Sequence, residues 1–454
     1  MQLPPCGTHV WRQCNTLAMS RNFAEEDMNI LHPRIDRRNE TNGITGSGFP
    51  LFEWLLALCS KIFGHGFLLN RIFSLLISTL AILALYHLLM SLGIARNMAA
   101  AGALLLLSIP EFYYHSINAL PDIMALAAAL GALYYGLQLS KELGQRSFFL
   151  FFVLSAIAGL IKFQFLIIPF AGIAAFDFKN KKTIYFISLC TAVLSVVTAW
   201  YFYALRLTES NNLREFGLWI KPVTSQEKIQ TLAGNLTMDL PEVLIGWPLF
   251  IALMILLIVC FRQLRMGHHA WILLLWLLGF AAFYFAAIER MQHHSYYFMQ
   301  MLPFFIIVFL LLFKKKNLSI KLLYAVLVLN TVWAMVRIIP SRWVEGKYNI
   351  PAEFSNPATL AEFSRYLPPN SKVVIGPDIS GCIYFYFTHT KGYSFEHAEE
   401  LITIKQNQPD IENMRAAGIR YLIIRDGNVL SPMAETLHLK RKVATIGQFE
   451  IWEL

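Results

Sequence analysis

The sequence predicts a polytopic α-helical membrane protein with a small soluble α/β domain at its C-terminal end. Three observations carry that expectation. The chain has 454 residues, 56% of them hydrophobic and only 15% charged, the composition of an integral membrane protein. Between Leu68 and Ile339 lie roughly ten apolar stretches long enough, or nearly so, to cross a ~30 Å hydrocarbon core. The charges sit between these stretches and alternate in kind. Every second connection is short and basic: Arg96, then Lys141 and Arg146, then Lys179, Lys181 and Lys182, then Arg262 and Arg265, then Lys314, Lys315, Lys316 and Lys321. The intervening connections are longer, richer in aromatics and carboxylates, and hold Asp122, the stretch from Arg206 to Ile245, and Glu289 to Tyr297. Lys and Arg of short loops stay on the cytoplasmic side. The longer loops therefore share the outer face, and the chemistry is expected there.

Residues 1–67 read as a first outer loop with interfacial helices. Leu17, Ser20, Arg21 and Phe23 fall in a short helical run. The apolar segment Pro50 to Phe63 is too short to span and reads as interfacial, with Trp54 and Lys61 as anchors. The N-terminal segment lacks the basic and apolar regions of a signal peptide, yet the charge pattern places it outside. A first span is therefore expected to be missing ahead of Met1. Residues 68–340 form the transmembrane helical domain, with spans near 68–90, 97–113, 122–140, 148–161, 163–177, 183–206, 246–261, 270–288, 298–313 and 321–339. The fourth and fifth are short and meet at Lys162, where a bend is expected. No repeat of 20–50 residues is visible, and after Pro340 the composition changes. Residues 345–454 alternate helix-like runs (ATLAEFSRYL, IENMRAAG) with β-branched runs (KVVIG, RYLIIRD) bounded by Gly, Pro and Asp, the pattern of a small α/β domain.

The formal charge of +9 does not point to nucleic acid, because the basic residues flank apolar segments, where they set topology and meet anionic headgroups of membrane lipid. The six cysteines show no C-x-x-C pairing and no zinc spacing. Cys59, Cys190 and Cys260 fall in apolar segments, whereas Cys6 and Cys14 share the first loop and could pair in an oxidising compartment.

Four places hold residues suited to chemistry, and each has a plain structural reading beside it. Asp122 opens a span that carries no further charge until Lys141. It is either a helix cap or a carboxylate at the membrane surface that orients an acceptor or holds a divalent cation. Lys162 lies in the apolar run AGLIKFQFLIIP, so its ammonium must snorkel or meet an anion, and phosphate suits a compact point charge. The loop from Glu289 to Tyr297 packs Glu289, Arg290, His293, His294, Tyr296 and Tyr297 between two spans. It is either an aromatic belt or part of a binding site. In the first loop, His9 and Arg12 flank Trp11, a stacking face beside a fork for phosphate or carboxylate.

Taken in order, these pieces resemble the GT-C membrane glycosyltransferases, in the group of the protein O-mannosyltransferases and the aminoarabinose lipid A transferase. The resemblance rests on THVWRQCNTLAMSRNF, GFPLFEWLLALCSKIFG, Pro121-Asp122 opening a span, GLIKFQFLIIP around Lys162, HHSYYFMQMLP before a late span, and the C-terminal domain. It implies inverting transfer of a sugar from a polyprenyl-phosphate donor to a glycan, lipid or protein acceptor, on the outer face of a bacterial inner membrane. It also implies that Asp122 is the acid opening a later span and that Lys162 contacts the lipid phosphate. Trp11, Arg12, Arg290, His294 and Tyr297 are expected as further substrate-binding residues. Such enzymes carry an acid early in the first loop, but no acid precedes Glu25 here, and His9, Arg12 and Asn15 stand in that region. His9 is the expected substitute base, with a pKa near neutrality, and Asp36 is the fallback. A transporter or flippase of lipid-linked saccharide and an inactive polyprenyl-lipid-binding relative are the competing functions. The charges at the outer ends of spans and the absence of repeated halves favour surface chemistry over transport.

Overall fold

The computed structural model describes residues 3–177, 179–211, 213, 223–260, 268–397, 415–416, 418–425 and 441–454. The basic pair Arg262 and Arg265, most of IENMRAAG and the end of RYLIIRD lie outside the described residues. The chain divides into two compact units. One comprises Met1–Leu69, Ala204–Gly217 and Arg342–Leu454, the other Asn70–Tyr203 and Leu218–Ser341.

The second unit is helical. Among the described residues, five helical segments are long and apolar enough to cross a membrane: Phe67–Ser91, Pro121–Lys141, Lys181–Ser210, Ser295–Lys315 and Ile320–Val344. Shorter apolar helices cover Gln145–Ile161, Phe163–Ala175 and Ala270–Ala286. Small residues set the packing distance, as expected where lipid supplies no hydrophobic drive between helices. A Cβ at Gly102 would lie 2.2 Å from Leu310, and one at Gly159 would lie 2.8 Å from Val197.

A bent pair, Ser225–Leu244 with Trp247–Cys260, turns through 114°. The break falls at Gly246, whose φ of 91° suits only glycine comfortably. Broken helices at membrane depth need other partners for their freed backbone groups, and here one side chain provides them. Asn330, fully buried, donates through Nδ2 to Ile245 O at 3.0 Å and Ser108 O at 2.9 Å, and its Oδ1 accepts from Leu249 N–H at 3.2 Å.

The first unit is built on a sheet with β1 (Lys372–Gly376), β2 (Lys391–Ser394), β3 (Tyr421–Arg425), β4 (Arg441–Ile446) and β5 (Phe449–Glu453) in the order β2-β1-β3-β5-β4. β1 pairs parallel with β2 and β3, whereas β5 runs antiparallel to β3 and β4. The parallel β1–β2 pair needs a crossover, which contains the Ile383–Thr388 helix. Period-2 alternation sorts the strands onto two faces. Val373, Ile375, Ile423 and Ile451 join one cluster with Phe354, Phe363, Phe385 and Phe449, while Val374, Leu422 and Ile424 join another with Phe395 and Leu454. The first cluster also takes in Val10 and Cys14, so the helix Val10–Glu25 shares a core with the sheet.

Ion pairs tie this helix to its own unit. Burial alone would push the Glu25 carboxyl up, but hydrogen bonds from His389 (2.9 Å) and Asn370 (3.2 Å) and the charges of His389 and Arg21 hold it at about 2. A carboxylate held below its ordinary 4.5 contributes stability that is fully present above that value and is lost as pH falls towards the folded-state pKa. Glu25→Gln is therefore expected to lower the thermal midpoint of the full chain in detergent at neutral pH. The difference from wild type should shrink between about pH 4.5 and about pH 2, and a gap constant down to pH 2 would refute this account.

Candidate functional site

The residues singled out by sequence fall in both units. His9, Trp11, Arg12 and Asp36 belong to the first, and Asp122, Lys162, Arg290, His294 and Tyr297 to the second.

In the first unit His9 precedes the Val10–Glu25 helix in the left-handed region, with φ 57°, and its carbonyl accepts from the Arg12 and Gln13 amides. The Trp11 carbonyl accepts from the Cys382 thiol at 3.3 Å. Asp36 is buried and commits both oxygens: Arg21 Nη2 donates to Oδ2 at 2.7 Å and Asn22 Nδ2 to Oδ1 at 2.9 Å. Arg21 also donates to Tyr386 O at 3.0 Å. This arrangement fastens the loop to the helix and occupies both carboxylate oxygens of Asp36. Cys6 and Cys14 are both buried, and burial, with Cys382 nearby, pushes the Cys14 thiol well above its ordinary value.

In the second unit two expected residues meet. Pro121 and Asp122 open the Pro121–Lys141 helix, Pro at the first helical position having its missing N–H where no partner is needed. Lys162 stands between the Gln145–Ile161 helix and the turn Phe163–Leu166, extended at φ −152° and ψ 115°. This break turns the ammonium onto Asp122 Oδ1, with which it forms an ion pair and hydrogen bond. The Asp122 side chain is fully buried and that of Lys162 is 13% exposed. The second carboxylate oxygen, Oδ2, is buried without a hydrogen-bond partner. A buried pair of this kind is costly to assemble, and the unmatched oxygen marks a place where a polar ligand group would be welcome.

Aromatic rings complete the surroundings of the ammonium. Lys162 Nζ lies 4.5 Å from the Tyr296 ring centre and 4.3 Å from that of Tyr297, within cation–π range. His294 stacks on Tyr296 at 5.4 Å and 22°, and Phe283 stacks on Tyr297 at 6.1 Å. Arg290 pairs with Glu289 at 3.3 Å. Behind this lies a group that the sequence reading missed. Glu111, fully buried, accepts from Ser295 Oγ at 2.7 Å, and His115 Nε2 lies 3.1 Å from the same oxygen. The Glu–His spacing of four residues on one helical face was the available signal.

The donor set does not fit a divalent cation at Asp122. Its neighbour is an ammonium, and among the described residues no group of three or more His, Cys, Asp or Glu side chains could hold a metal. The arrangement suits an anion instead: a lysine held in position, aromatic walls for apolar or sugar faces, and an acidic oxygen able to accept from a hydroxyl.

Known proteins share this fold. The family model for dolichyl-phosphate-mannose-protein mannosyltransferase matches residues 47–203, a stretch that contains Asp122 and Lys162. The fold is similar to that of ArnT from Cupriavidus metallidurans bound to undecaprenyl phosphate, with 14% identity, a TM-score of 0.69, and 100% of this chain and 95% of that chain covered. ArnT from the same organism in the apo state matches with 14% identity and a TM-score of 0.66 over 97% of this chain and 93% of that one. The oligosaccharyltransferase of Archaeoglobus fulgidus, in complex with Zn and sulfate, matches with 14% identity and a TM-score of 0.51 over 96% of this chain and 66% of that one. No curated protein sequence matches. The polytopic helical GT-C-like fold with its small C-terminal sheet unit is thus the fold observed, and the resemblance to GT-C glycosyltransferases holds.

Proposed function

We propose that this integral membrane protein is a glycosyltransferase that moves a sugar from a polyprenyl-phosphate donor to a glycan, lipid or protein acceptor on the outer face of the membrane. The observation that carries the reading is the Lys162 ammonium, paired with Asp122 and lodged beside Tyr296 and Tyr297. A fixed positive charge near apolar surface suits the phosphate of a lipid-linked sugar, whose departure with the bonding electron pair builds negative charge that Lys162 would offset. Tyr297 and His294 supply ring faces, and Asp122 Oδ2 supplies an acceptor for a sugar or acceptor hydroxyl. Arg12 and Arg290 are further candidates for anion contacts, and Trp11 for stacking. Of the two first-unit candidates for the base, His9 fits the chemistry better, since Asp36 engages both oxygens with Arg21 and Asn22.

The test is transfer of radiolabelled sugar from polyprenyl-phosphate donors by the purified protein. Transfer supports the reading. Binding of the lipid without transfer points to an inactive relative, and movement of the intact lipid-linked sugar between leaflets points to a flippase.

Orientation is open to a separate check. The alternation of basic loops supports an outer position for the C-terminal unit, and Ser364 is exposed on its Pro357–Tyr366 helix. Ser364→Cys should be labelled in intact cells by a membrane-impermeant maleimide, above the wild-type level. Labelling only after permeabilisation would reverse the topology.

A further inference from the structure

We propose that Glu111 is a positioning residue for Lys162, acting through Ser295 and the two tyrosines that follow it. Its consequence for donor binding rests on the reading of Lys162 as the phosphate ligand, but the positioning itself does not.

A carboxylate with no exposed surface is expensive in an apolar surrounding unless its hydrogen bonds are in place. Glu111 lies on the short helix Pro110–His115, and its Oε1 receives the Ser295 hydroxyl at 2.7 Å and His115 Nε2 at 3.1 Å. Ser295 opens the turn Ser295–Met301, and the next two residues are the ones whose rings lie against the Lys162 ammonium. His115 meets Tyr296 edge-on at 6.4 Å and 89°, while His294 stacks on the same ring. Tyr296 is thereby gripped by two imidazoles, and the backbone just before it is fastened to Glu111.

Lysine needs such help. Its charge rides on a flexible four-carbon stem, and the Asp122 contact fixes only one direction of approach. The two rings, stacked on each other, bound the ammonium on one side, and a ring can do this only while its backbone is held. Segments 184 residues apart in sequence are joined at the one serine where that hold is most direct.

The experiment reads the position of Lys162 without any donor. The full-length protein in detergent is treated with trinitrobenzenesulfonate, digested, and the modification of Lys162 is quantified by mass spectrometry against exposed Lys321 as internal standard. Ser295→Ala and Glu111→Ala are expected to raise the relative labelling rate of Lys162 several-fold. Glu111→Gln, which keeps an acceptor oxygen for Ser295, should bring the rate back towards wild type. A staple that merely stabilises the fold would move the thermal midpoint and leave the Lys162 to Lys321 ratio unchanged, and that result would overturn the proposal. Should Glu111→Ala fail to fold, Ser295→Ala removes a single oxygen and decides the matter alone. Binding of undecaprenyl phosphate to the same variants separates the two readings. Faster labelling with weaker binding supports both. Faster labelling with unchanged binding keeps Glu111 as a positioning residue and removes Lys162 as the phosphate ligand.

Discussion

Lys162→Met is expected to abolish measurable transfer, with a loss of at least ~100-fold, the order found when a principal electrostatic contact of a reacting centre is removed. It should also destabilise the protein by ~3–5 kcal/mol, because it leaves a buried carboxylate without its charge partner. The two effects can be separated, since Asp122 is fully buried and pairs with Lys162. Replacing both partners, as in Asp122→Leu with Lys162→Met, removes the orphaned charge and should recover most of the lost stability while activity stays absent. Thermal unfolding in detergent and transfer assays on the three proteins provide the check. Full activity in Lys162→Met would leave the lysine as a structural partner of Asp122 and nothing more.

Asn330→Leu should carry the second large effect. It deprives the Ile245 carbonyl and the Leu249 amide at the helix break, and the Ser108 carbonyl at the end of the Arg96–Ser108 helix, of their partner. Buried groups left unmatched cost roughly 1–3 kcal/mol each and do not add fully, so a loss of about 3–5 kcal/mol is expected. Leucine is close in volume, so the loss would report hydrogen bonding rather than a cavity. Gly246→Ala should act at the same point, since its Cβ would lie 2.4 Å from Asn330 Oδ1. A thermal midpoint within 1–2 °C of wild type, where ~1 kcal/mol shifts a large domain by ~2–4 °C, would mean that the backbone finds other partners.

Much of this architecture could be read from the chain because its physics is local. Apolar runs interrupted by basic residues mark helices and their order, and the isolation of Lys162 among Ile161, Phe163 and Phe165 marks a charge in need of a partner. Which partner was not legible: Asp122 lies 40 residues away, and pairing at that separation depends on how two helices pack. The same holds for the Val10–Glu25 helix, which reads as part of a loop yet shares its core with strands near the other end of the chain. Glu111 and His115 were legible as a pair on one helical turn, but their tie to Ser295 was not. Trp247–Cys260 and Gln145–Ile161, of 14 and 17 residues, fall short of the usual spanning length, and only the alternation of basic loops reads them as spans.

The Asn330 clamp also imposes an order on biosynthesis. The Leu249 amide is made 81 residues before the side chain that will receive it. At roughly 5–20 residues per second that is an interval of ~4–16 s. Throughout it, the nascent chain holds a broken helix whose freed groups must be served by water or by the insertion machinery. The bend at Gly246 therefore closes late, when the helix bearing Asn330 arrives, and a pause or truncation before that point would present quality-control proteases with an opened hinge.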